Sequence, residues 1–122
     1  MQGVQKHIRA MVMAAVLAVG MALPAAAQEF LVGLEDVPVM DGLKVAEDSS
    51  MVFDSPAGRI VEVYATGNTG RATVTDFYSR TLPALGWTRE GDRRYAREGE
   101  ALAMDFFGPE GELTVRFTLA PQ

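Results

Sequence analysis

The chain has 122 residues, 48% hydrophobic and 22% charged, with formal net charge −5, a globular balance sufficient for one domain. It has no cysteine, and its only histidine is His7, in a segment read below as removed. These absences exclude disulfide scaffolds, thiol nucleophiles, Cys/His zinc sites and Ser–His or Cys–His catalysis from the remainder.

Residues 1–27 have the three parts of a secretory signal peptide. Lys6 and Arg9 are the only charged residues before Glu29. An apolar run follows over residues 10–22, then Leu23-Pro24-Ala25-Ala26-Ala27. As a helix that run would reach about 20 Å, short of the roughly 30 Å hydrocarbon core of a bilayer. Pro24 interrupts a helix just before the small residues and leaves them extended for a peptidase. The expectation is cleavage after Ala27, delivery to the periplasm or the medium, and no stable membrane insertion afterwards. No cysteine follows to carry a lipid.

Loss of Lys6 and Arg9 leaves residues 28–122 with net charge −7. An acidic domain of this kind predicts no nucleic-acid partner, because phosphate binding needs clustered cations. The charge is uneven, −6 over residues 28–54 and −1 over residues 55–122.

Residues 28–50 show weak periodicity. Pro38 biases Val37 toward extended backbone, and Asp41-Gly42 is a turn signal. The expectation is an extended acidic arm whose apolar residues, Phe30, Leu34 and Met40 among them, dock on a domain formed by residues 51–122. Glu47-Asp48-Ser49-Ser50 reads as a polar break. Met51-Val52-Phe53 and residues 59–66, rich in β-branched and aromatic side chains, form a hairpin around Asp54-Ser55-Pro56-Ala57-Gly58. After Gly67-Asn68-Thr69-Gly70, the spacing of Val74, Phe77, Tyr78, Thr81 and Leu85 predicts a helix with one buried stripe. Thr69 or Thr73 is its expected cap. Pro83 loosens its last turn and Gly86 ends it.

Four strands follow, over residues 87–90, 93–98, 101–107 and 113–119, joined by Gly-containing turns. Leu102, Met104 and Phe106 alternate with polar residues, as do Leu113, Val115, Phe117 and Leu119. The fold class is therefore α+β: an N-terminal β-hairpin, one α-helix, then an antiparallel β-meander, with the helix covering one face of the sheet. Phe77→Ala or Phe106→Ala would then cost about 3–5 kcal/mol.

The run Phe77-Tyr78-Ser79-Arg80-Thr81-Leu82-Pro83-Ala84-Leu85-Gly86-Trp87 resembles an F-Y-x-x-x-L-P-x-L-G-W motif of small exported, uncharacterised proteobacterial proteins. The segment 36–43 is similar to an upstream part of the same group. The resemblance implies kinship and a helix turning into a strand, and it implies no catalytic residue. The helix-on-meander layout also resembles compact domains of envelope-assembly lipoproteins, an analogy of fold alone.

Each candidate site has a plainer alternative role. Arg89, Arg93, Arg94 and Arg97 form a candidate anion-binding cluster, since a guanidinium fork suits carboxylate or phosphate. Against this, the interleaved Glu90, Asp92, Glu98 and Glu100 suit cross-strand pairing. The acidic arm lying near these arginines is a third arrangement. Asp105 and Arg116 read as a diagonal exposed ion pair, if Phe106 opposes Leu113. No spacing marks two carboxylates for glycosidase chemistry or a twelve-residue calcium loop. Tyr64, Tyr78, Trp87 and Tyr95 read as core with hydroxyls at the rim, or as a groove wall. The expectation is a non-catalytic exported binding domain contacting an envelope protein or component, without cofactor or metal. The alternative is a small anionic-ligand module using the arginine strands.

Overall fold

A computed structural model describes residues 28–122; the signal peptide expected over residues 1–27 lies outside the described residues. The described chain runs through β1 (Phe30–Leu31), β2 (Leu34–Pro38), β3 (Leu43–Val45), β4 (Met51–Ser55), β5 (Gly58–Gly67), α1 (Arg71–Thr81), β6 (Thr88–Gly91), β7 (Arg94–Arg97), β8 (Glu100–Phe107) and β9 (Leu113–Pro121). Short 3-10 turns occupy Glu47–Ser49 and Pro83–Leu85.

β6 to β9 form the meander, and β9 returns to lie against β5, from Val61↔Leu119 to Gly67↔Leu113. The sheet order is β3-β5-β9-β8-β7-β6, with β4 also paired to β5. All pairings are antiparallel. The helix therefore carries the chain from β5, near one edge, to β6, at the other. This α+β layout is the one that the alternating strand pattern and the single helical stripe imply.

One face of the sheet is dry. Val61, Val63, Ala65, Leu102, Met104, Val115, Phe117 and Leu119 are buried on it, two positions apart along each strand as the pleat requires. The helix is not its only cover. Residues 28–50, read as an arm, supply β1, β2 and β3, and Leu31, Leu34, Val37, Val39, Met40 and Leu43 are buried in the same core. Tyr78 meets Phe117 edge-on at 5.4 Å between ring centroids, which sets α1 on the dry face. The β1–β2 turn lies beside it over Val61, since a Cβ at Gly33 would come within 3.4 Å of that side chain.

Three local expectations need correction. The helix is capped by neither Thr69 nor Thr73: its N-cap is Gly70, without a side-chain cap bond. The carboxylate of Glu110 instead accepts the Arg71 N–H at 3.0 Å, an acid placed at the positive end of a helix. Leu85 is 39% exposed, because α1 stops before Pro83 and the 3-10 turn rotates Leu85 outward. Leu82, fully buried, takes its place in the stripe. Phe77 and Phe106 are only partly buried against the core. Phe77→Ala is accordingly expected to cost about 1–2 kcal/mol, below the range for a fully buried ring. A urea titration would check this, and a loss above 3 kcal/mol would contradict that partial burial.

Candidate functional site

The four arginines do not converge. Arg89, opposite Tyr95 on β7, donates to Asp92 at 2.9 Å and to the Gly91 carbonyl at 3.1 Å. Arg94 donates to Glu90 at 3.3 Å. Arg97 pairs with Asp36 and with Glu98, and donates to the Leu85 carbonyl at 2.9 Å. Arg93 sits over the Phe106 ring at 5.9 Å from its centroid. Strand alternation sends Arg94 to the face opposite Arg93 and Arg97. Acids local in sequence thus take up Arg89 and Arg94, and Asp36 of β2 takes up Arg97.

Arg97 has a structural role that its spacing does not disclose. Its guanidinium lies 4.9 Å from the centroid of the Trp87 ring and joins β2, β7 and the end of the 3-10 turn through the contacts above. Arg97→Gln is expected to cost about 1–2 kcal/mol through the lost charge-assisted bonds and ring contact. That would lower the melting temperature by roughly 5–15 °C, and an unchanged melt would show that the three elements do not depend on it.

The aromatic set divides. Tyr78, Trp87 and Tyr95 are buried, whereas Tyr64 is half-buried on the opposite face and donates to Glu62 at 3.2 Å. Burial raises the Tyr95 phenol pKa, with the nearby Arg89 charge acting the other way. Asp105 and Arg116 are direct cross-strand neighbours, not diagonal ones, because Phe106 pairs with Val115. Arg116 donates to Asp105 at 3.0 Å and lies 5.1 Å from the centroid of the Phe107 ring.

The two sheet edges differ in chemistry. β6 ends the sheet with the charged pairs of Arg89 and Glu90 described above. On β4, at the other side, Met51, Val52 and Phe53 are 49%, 54% and 48% exposed. Phe30 and Val32 of the β1 hairpin are also exposed, and Gly33 packs directly on Val52. On the open face, register carries an uncharged row inward from this edge. Phe53 pairs with Ile60, and across β9 the row continues through Ala120, Ala101 and Ala96. Sequence reasoning finds β4 as a strand but not its exposure, which depends on which neighbour β5 takes on its other side.

A broad recess of about 710 Å³ lies between the Asp41-Gly42 turn and α1, lined by Asn68, Thr73, Asp76, Phe77 and Arg80 among others. Arg80 and Asp76 neutralise each other there at 2.9 Å. A smaller recess of about 390 Å³ mixes Arg93 and Arg94 with Glu90, Asp92 and Asp105, a poor environment for an anion. Among the described residues no three His, Cys, Asp or Glu side chains converge, and no helix is long and apolar enough to cross a membrane. Comparison with protein-family models, curated proteins and solved structures finds no match to this chain.

Proposed function

We propose that the chain is an exported, non-catalytic interaction module that contacts an envelope protein through the β4 edge. The observation that carries this reading is three consecutive large apolar residues, Met51, Val52 and Phe53, each about half exposed on an edge strand. Edge strands of that composition invite pairing with another chain, and folded proteins ordinarily blunt them with charge. Here β6 carries charge and β4 does not, apart from Asp54. The pairwise neutralisation of Arg89, Arg94 and Arg97 weighs against the anionic-ligand alternative. Export rests on the leader over residues 1–27, and mass analysis of the released product should give Gln28 as its first residue.

Val52→Lys tests the interaction. It places a charge on the edge at a side chain that is itself 54% exposed, so the melt should stay within about 2 °C. Cross-linking of the tagged protein in its own envelope should give adducts that Val52→Lys removes. Identical adducts from both proteins would overturn the reading.

A further inference from the structure

The geometry points to the β4 edge as a strand-addition site for an extended partner segment in which basic residues bracket a short apolar stretch; this rests on the interaction reading above and supplies its chemistry. β4 pairs with β5 on one side only. In an antiparallel ladder, every second residue of an edge strand turns its N–H and C=O away from the sheet. Those groups can bond an added strand, while alternate side chains supply selectivity. Partner side chains on one face would meet Val52 beside the Gly33 turn. Those on the other would meet Met51, Phe53 and the uncharged row that begins at Ile60.

Charge sets the ends of the segment. Exposed Glu47 and Asp48 lie just before β4, and exposed Asp54 lies near its far end. Glu62 stands opposite Met51. Arg59, opposite Asp54, is already held by Glu100 through two bonds of 3.0 and 3.2 Å. Lys44 is the one cation among residues 28–54, against seven acids. At about 3.4 Å per residue, basic residues six positions apart reach both acidic ends. A second copy of this chain is disfavoured by the same charges. Antiparallel β4–β4 pairing would bring Asp54 of each copy toward Glu47 and Asp48 of the other, acid against acid.

The probe is a fluorescein-labelled heptapeptide with lysine at both ends and alternating valine and threonine between. Its anisotropy with the full chain is expected to rise saturably. Affinity should fall about tenfold at low salt when both lysines become glutamate, with the difference shrinking as salt is added. Val52→Lys should lower lysine-peptide affinity at least about tenfold with an unchanged melt. Asp48→Lys combined with Asp54→Lys should reverse the preference toward the glutamate peptide. Equal affinity for both peptides, or binding indifferent to Val52→Lys, would overturn the proposal. A dimer in sedimentation that Val52→Lys dissociates, without peptide binding, would overturn it in favour of a second copy. Absence of peptide binding, while Val52→Lys still removes the envelope adducts, would refute the basic segment and leave the interaction reading standing.

Discussion

Tyr78→Phe is expected to lower stability by about 2–4 kcal/mol, far more than loss of one hydroxyl costs on a surface. The Tyr78 ring is fully buried on α1. Its hydroxyl donates to the Pro38 carbonyl at 2.7 Å and accepts the Met40 N–H at 3.2 Å. Pro38 and Met40 are themselves buried, so phenylalanine strands one acceptor and one donor away from water. Each such group costs about 1–3 kcal/mol when left unpaired. The ring contacts with Phe77 and Phe117, at 4.8 and 5.4 Å, survive in the variant, which isolates the hydroxyl. Tyr78→Ala adds a cavity costing about 3–5 kcal/mol, enough to threaten a domain with 5–15 kcal/mol in total. Urea unfolding measures both. Hydrogen exchange should show residues 34–43 losing protection first in Tyr78→Phe. A loss below 0.5 kcal/mol would mean that the hydroxyl does not tie the first strands to the helix.

The same residue predicts an alkaline response. Burial raises the Tyr78 phenol well above its ordinary 10.0, with the Met40 N–H bond acting in the other direction. The folded state therefore keeps its proton after the unfolded chain has released it. Stability attributable to Tyr78 is whole below pH 10 and declines above it, by about 1.4 kcal/mol per pH unit. Tyr95, also raised by burial, adds a smaller loss in the same direction. Unfolding titrations from pH 9 to 11.5 should fall less steeply for Tyr78→Phe than for the parent. Parallel curves would contradict the burial of an un-ionised phenol.

The parts of the fold legible in the sequence are those set by contacts near in sequence. β8 and β9 alternate visibly because one face of each is dry and the other is not. The β4–β5 turn declares itself through Pro56 and Gly58. The helix shows its stripe, but its ends do not, since the carboxylate at its start comes from Glu110, 39 positions on. Leu85 fits the helical period on paper, yet Pro83 ends the period before that residue is reached. β1 and β3 have two and three residues, too few for any period, and their burial depends on distant partners such as Tyr78. The candidate site was legible as a composition and illegible as a position. Met51-Val52-Phe53 reads equally well as a core strand, and only the docking of β9 on β5 leaves it at the rim. The arginines show the converse. Their clustering is plain, while the acids between them, and Asp36 far upstream, decide that they act as separate ion pairs.

Gly67→Ala is expected to cost about 3 kcal/mol or more and to lower the melting temperature by at least roughly 12 °C. Gly67 pairs with Leu43 of β3 and with Leu113 of β9. A Cβ there would stand 1.9 Å from the Gly42 carbonyl oxygen, 2.9 Å from its carbon and 3.3 Å from the Leu43 Cα. All three are backbone atoms, so no side-chain rotation relieves the clash. The requirement is space and not conformation, because Gly67 is absent from the positive-φ glycines. Gly42→Ala is the matched control: its φ is +98° and nothing lies within 4 Å of the new Cβ. There the cost is conformational alone, about 1–2 kcal/mol. To admit the methyl at Gly67, β3 must leave β5 and take buried Leu43 with it. β4 occupies a different stretch of β5, residues 58–62, so its pairing should persist. Hydrogen exchange in Gly67→Ala should then accelerate at residues 43–46 while β4 and β5 up to Glu62 stay protected. A Gly67→Ala protein as stable as Gly42→Ala would mean that the two backbones do not approach this closely. Loss of protection at β4 as well would mean that β3 and β4 open together, leaving the exposed edge no independent footing on β5.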